Sequence, residues 1–210
     1  MKLIFRAPVL GFAVCLWLAA VSVGVGWLWS YNHAAGAPAR PPAQWPEASA
    51  IARVADRHTL VMLAHPKCPC TRASIEELSK LMTTARGRLN AVVIFVTPNK
   101  ASSEWQETDL RASAARIPGV TTIVDDGGRE ASGFGALTSG QVVLYDAQGQ
   151  LIFHGGITSS RGHIGDNAGR NAIEALILGH SSRTANSQVF GCPLFDASEC
   201  PIPNNEEASK

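Results

Sequence analysis

The chain has no excess charge of either sign: 18 Lys and Arg stand against 17 Asp and Glu in 210 residues, a formal net charge of +1. A nucleic-acid partner would call for a basic excess or stripe, so that class is excluded. Cysteine is also scarce. Five, at positions 15, 68, 70, 192 and 200, are too few to form the disulfide scaffold of a chain this long. There is no internal repeat, and neither the P-loop nor the dinucleotide-binding glycine pattern occurs.

Charge is missing altogether from one stretch. Pro8 to Trp29, PVLGFAVCLWLAAVSVGVGWLW, contains no charged residue. As a helix it would reach about 33 Å, enough to cross a bilayer core. Lys2 and Arg6 precede it, and the next Lys or Arg is Arg40. This asymmetry predicts residues 1–7 in the cytoplasm and residues 8–30 as a single-pass transmembrane anchor in the inner membrane. The remainder would then lie in the periplasm or an equivalent exported space. Trp27, Trp29 and Tyr31 suit the far interface. A cleaved signal peptide is the competing reading: AGA at 35–37 has the small residues a peptidase needs, with Pro38 after the cut. Both readings put the remaining chain where disulfides persist. Cys15, inside the span, reads as a small apolar packing residue.

Residues 31–45 are rich in Ala and Pro and read as a stiff, extended linker. Residues 46–180 are of single-domain size, and 181–210 form a tail. In the domain, Pro46 opens a helical pattern to Arg57, and TLVMLAH (59–65) is a short apolar strand. Next comes a helix from near Thr71, with Ile75, Leu78, Leu81 and Met82 on one face and Ser74 and Glu77 at capping-box spacing. AVVIFVTP (91–98) is a central strand, SSEWQETDLRASAARIPG a helix closed by Pro118 and Gly119, and VTTIV (120–124) a strand. A short helical piece at 130–135 leads to a hairpin, QVVLYD-AQG-QLIFHGGI, and NAGRNAIEALILG is the last helix. The helix between the first two strands makes them parallel, and the hairpin is antiparallel. The expected fold is therefore α/β, a mixed sheet with helices on both faces.

HPKCPCTRAS (65–74) puts two cysteines at the end of the first strand and the start of its helix. With LYDAQGQLIFHGGI as a terminal hairpin, this order resembles the thioredoxin superfamily over roughly residues 46–180. HPKCPCTRAS, TSGQVVLYD, GGITSSRGHIGDNAGR and FGCPL together are similar to a smaller bacterial group labelled RedB-like, which brings no defined activity. The superfamily resemblance implies thiol–disulfide exchange on protein or small-molecule thiols and disulfides, with no cofactor. Two departures stand out. Cys68-Pro69-Cys70 replaces Cys-x-x-Cys: a gapless alignment on the second cysteine puts Lys67 at the attacking position, whereas Cys68 takes it after a one-residue deletion. The position of the family's cis-proline, which shapes its substrate groove, is Gly140.

At the mouth of a helix, unpaired N–H groups and the helix dipole favour a thiolate, and His65, Lys67 and Arg72 are basic neighbours. Cys68 is read as the attacker and Cys70 as the resolving thiol, the reverse assignment remaining open. Closing the two would make a small, strained ring, which favours donating or shuffling disulfides over strong reduction. Copper binding or delivery is the alternative, with Cys68, Cys70 and His163 as ligands, since thiolates select Cu(I). A peroxidase fits less well, because the usual Pro and Thr before the cysteine are missing. In the tail, the apolar VFGCPLF should dock on the domain. Cys192 then either reaches the site as a resolving thiol or forms a structural disulfide with Cys200. The Gly-rich loop RGHIGDNAGR, with Arg161 and Arg170, is read either as an anion holder or as carrying a helix cap at Asp166 or Asn167.

Overall fold

The computed structural model describes residues 6–195 apart from 55, 86 and 183, in two units that divide at Ala34. The first unit is helix α1 (Arg6–His33), whose span from Pro8 to His33 is long and apolar enough to cross a membrane. In its last turns Trp27 stacks on Tyr31 and Trp29 on His33.

The second unit is a five-stranded sheet with order β3-β2-β1-β4-β5. Its elements run β1 (His58–Ala64), α2 (Cys70–Ala85), β2 (Leu89–Thr97), α3 (Ser103–Gln106), α4 (Asp109–Ala115), β3 (Val120–Asp126), α5 (Arg129–Gly133), β4 (Gln141–Tyr145), β5 (Leu151–Gly156) and α6 (Ala168–Ile177). β1, β2 and β3 are parallel, while β4 runs antiparallel to β1 and β5 to β4. This is the thioredoxin-like mixed sheet that the resemblance implies.

β1 is central and covered on both faces, which is why its sequence is a continuous apolar run. Leu60 and Met62 face Ile75, Leu78 and Leu81 of α2, with α4 and α6 completing that layer. Val61 and Leu63 face the other layer, built from Ala131 of α5, Phe134, Ile51 and Leu194. The helix expected to begin at Pro46 is not found among the described residues. Instead Trp45 packs edge-on against Phe134 and Tyr145, at centroid distances of 5.1 and 5.2 Å. The Glu130 carboxylate accepts from the Ser49 hydroxyl and the Ala50 N–H, which draws residues 46–51 onto α5. Irregular chain thus replaces a helix as the cover of this face. The Ala/Pro-rich stretch is extended but lies along the domain: Arg40 N–H donates to Gly135 O, Leu151 N–H to Ala43 O, and the Tyr145 hydroxyl to Pro42 O.

The single helix expected over 102–119 is two, α3 and α4. Thr108, extended at φ −104° and ψ 155°, interrupts it and accepts from Arg111 N–H as the N-cap of α4. The hairpin forms as expected, its turn held by Asp146, whose carboxylate accepts from the N–H groups of Gln148 and Gln150. Asn167 caps α6, its side chain accepting from Arg170 N–H at 2.8 Å.

Candidate active site

After β1 the chain turns sharply. Cys68 N–H donates to His65 O and Thr71 N–H to Cys68 O, both at 3.1 Å, and α2 begins at Cys70. Pro69, with no N–H and a fixed φ, sits at the helix entrance where neither property is a loss. Two neighbouring segments close over this turn.

The first is Thr138–Gly140, just before β4. Gly140 N–H donates to Leu63 O at 2.8 Å. The Ser139 hydroxyl oxygen accepts from His65 N–H at 2.8 Å and lies 2.7 Å from the Thr71 hydroxyl. The second is residues 189–195, a strap laid against Leu137–Ser139: Ser139 N–H donates to Cys192 O at 2.8 Å and Leu194 N–H to Leu137 O at 2.9 Å. Val189, Phe190 and Leu194 are buried, so the apolar tail island docks on the domain as expected. Gly191 makes the approach possible, since a Cβ there would collide with the Ser139 carbonyl. Beneath the strap Cys68 is 1% exposed.

Burial alone would raise the Cys68 pKa. Hydrogen bonds from the thiol and N–H of Cys192, and from the hydroxyl and N–H of Thr71, outweigh it, and the net result lies below the ordinary thiol value. Because the Thr71 hydroxyl donates to the sulfur, Ser139 must donate to Thr71. A relay therefore runs from His65 N–H through Ser139 and Thr71 to the Cys68 thiolate. Cys70 is raised by burial and by the adjacent Cys68 charge and hydrogen bond, with Arg161 opposing. Cys192 is pushed up to about 12 by burial, by its hydrogen bond to Cys68 and by the charges of Cys68 and Cys70, again with Arg161 opposing. Of the three thiols, Cys68 is therefore the one that gives up its proton most readily.

The expected supporting charges are placed differently. Lys67 Nζ sits over the Trp105 ring, 4.1 Å from its centroid, and His65 packs edge-on against the same ring. Arg72 pairs with Asp109 at the surface. The charge beside the thiols is Arg161, which hydrogen-bonds Cys70 and donates to Gly191 O at 2.7 Å. Gly140 holds the position expected for the family's cis-proline, with φ +88°; no cis peptide occurs among the described residues. His163 is exposed in its loop, and no three His, Cys, Asp or Glu among the described residues are grouped to hold a metal ion. Cys200 lies outside the described residues, so its pairing with Cys192 does too.

Sequence reasoning missed Ser139 and Glu77. Glu77 is no capping-box partner, because α2 starts at Cys70 and Ser74 lies inside it. Its fully buried carboxylate instead receives Arg170, Lys80, Gly165 N–H and Asn167. Burial works against that charge, but Lys80, Gly165 and Arg170 hold its pKa below the usual carboxylate range. The buried carboxylate therefore fixes the far end of the loop that carries Arg161. Beside the thiol turn lies a cavity of about 420 Å³, lined by His65, Trp105, Asn99, Pro193 and Phe195 among others.

No protein-family model and no curated protein matches this chain. Solved structures do. A hypothetical protein from Sinorhizobium meliloti is similar over 66% of this chain and 79% of its own, at 23% identity and a TM-score of 0.52. An uncharacterized conserved protein from Geobacillus kaustophilus is similar over 77% and 92%, at 17% identity and a TM-score of 0.53. A secreted Mycobacterium tuberculosis disulfide oxidoreductase aligns over 60% and 83%, at 14% identity and a TM-score of 0.44. Likeness at such identities speaks for the fold alone.

Proposed function

We propose that the chain is a membrane-anchored thiol–disulfide oxidoreductase acting outside the cytoplasm, with Cys68 as the attacking thiolate. The observation that carries this reading is the cage of donors from Thr71 and Cys192 that holds Cys68 below the ordinary thiol value, with other thiols in hydrogen-bond reach. A thiolate, not a thiol, attacks a disulfide, and a second thiol is needed to release the mixed disulfide that results. The chemistry needs no cofactor. Substrates are protein or small-molecule thiols and disulfides. Lys2 and Arg6 before the apolar helix support an inside N-terminus and an exported domain. Copper delivery through Cys68, Cys70 and His163 is the weaker reading, because the Arg161 guanidinium beside the thiols opposes a cation.

The test is turnover. With NADPH supplying electrons through glutathione reductase and glutathione, the full-length chain in detergent should reduce hydroxyethyl disulfide. Cys68→Ser should lose about tenfold or more of that rate. Equal rates for the two proteins would overturn the assignment.

A further inference from the structure

We propose that Cys192, not Cys70, resolves the mixed disulfide, so that the oxidised protein carries a Cys68–Cys192 bond that locks the strap over the site. The inference rests on the exchange reading above and names the second half of its couple.

The strap is built for this contact. Its main chain is fixed to Leu137 and Ser139 by two hydrogen bonds, and Arg161 grips the carbonyl of Gly191 next to the cysteine. This placement aims both the thiol and the N–H of Cys192 at the Cys68 sulfur. Cys70 also reaches Cys68, but it is two residues away across Pro69, and closing that pair makes a strained small ring. Cys192 comes from a separate segment and carries no such ring. The electrostatics favour the same sequence of events. While Cys68 is a thiolate, its charge and its hydrogen bond keep Cys192 protonated. Once Cys68 is bonded to substrate sulfur both effects vanish, leaving burial and Cys70 opposed by Arg161, so the Cys192 pKa falls at the step that needs it.

The exchange balances with a substrate disulfide as oxidant. With the strap lifted, the Cys68 thiolate attacks R–S–S–R′, forming Cys68–S–S–R and releasing R′–S⁻. Cys192 gives its proton to that leaving thiolate and attacks the Cys68 sulfur, forming Cys68–S–S–Cys192 and releasing R–S⁻, which takes a proton from water. The substrate disulfide gains two electrons from the two protein sulfurs and two protons, one from Cys192 and one from water. Because Cys68 is 1% exposed under the strap, the same contact makes the reduced form the one that can open and the oxidised form the one that is sealed.

The experiment uses the full-length chain in detergent, equilibrated in graded glutathione redox buffers, acid-quenched, alkylated and digested without reduction. Fragment ions then assign each bond. A Cys68–Cys192 link is expected as the main oxidised species. In Cys192→Ser, Cys68 should instead accumulate as a glutathione mixed disulfide, at least about tenfold above wild type. Cys192→Ala should behave alike, and a Cys200→Ser control should leave the map unchanged. A Cys68–Cys70 or Cys192–Cys200 link as the main species would overturn the inference, and the first of these would leave the exchange reading standing. If no cysteine oxidises in any buffer, the exchange reading itself fails.

Discussion

Ser139 holds the site together with one hydroxyl and one amide. The amide holds the strap at Cys192, and the hydroxyl joins the end of β1 to Thr71. Removing it in Ser139→Ala orphans a backbone N–H at His65, which should cost about 1–3 kcal/mol in urea unfolding. Thr71→Val removes one donor to the thiolate and leaves the Ser139–His65 bond in place. The pH midpoint of Cys68 alkylation should therefore rise in Thr71→Val relative to wild type, with a slower rate at neutral pH; an unchanged midpoint would rule out the relay. The sign of the linkage is fixed. Cys68 loses its proton more readily folded than unfolded, so the reduced fold gains stability as pH rises through the folded value towards the ordinary 9.0, and keeps it above. That gain should be missing in Cys68→Ser. Cys192 acts oppositely: its contribution is complete below the ordinary thiol value and is lost as pH rises from there towards about 12. The two cysteines of the turn were legible because a Cys-x-Cys at a strand-to-helix junction is a local pattern. The Ser139–Thr71 contact was not, because 68 residues separate its partners and a Ser before a strand looks like any loop Ser.

Among the elements, α2 shows how a local rule can mislead. Ser74 and Glu77 have capping-box spacing, yet Glu77 is the buried end of a network that ties α2 to the loop before α6. Glu77→Gln leaves Arg170 facing a neutral amide in a buried setting, which should cost about 3 kcal/mol. Since folding lowers the Glu77 pKa, this difference should be full at neutral pH and shrink as acid protonates the wild-type carboxylate below its ordinary 4.5. A difference that persists unchanged in acid would assign the cost to packing instead. The strap has its own test. Gly191→Ala forces a Cβ into the Ser139 carbonyl, so the strap should lift and Cys68 should alkylate several-fold faster. The break between α3 and α4 was missed because Thr108 fits a helix by composition and acts here as a cap. That break has a consequence for the site, since Trp105 at the end of α3 meets both His65 and Lys67.

For the whole molecule, the sheet was readable because β1 and β2 are continuous apolar runs of the kind only a strand covered on both faces needs. The layer over Val61 and Leu63 was not readable. Apart from α5 it is made of non-repeating chain, residues 45–51 and the strap, which has no periodicity to detect. The cleft at the thiols shares this origin, being closed by a segment that sequence places beyond the domain. At this scale the apolar helix α1 carries its own expectation. Full-length protein should sediment with membranes and resist alkaline carbonate, and its domain should be cut by protease added to spheroplasts; release by carbonate would remove the anchor.

The most direct test of Cys68 as the attacking thiolate is a single-turnover reaction of reduced Cys70→Ser/Cys192→Ala protein with glutathione disulfide, resolved by mass spectrometry across pH. Loss of the Cys192 thiol leaves Thr71 and the Cys192-position N–H as donors. A stoichiometric glutathione adduct on Cys68 is therefore expected, with a formation midpoint higher than that of the Cys70→Ser single variant. No adduct on Cys68, with Cys70 instead labelled in the reciprocal Cys68→Ser protein at the wild-type rate, would contradict it and give the attacking role to Cys70.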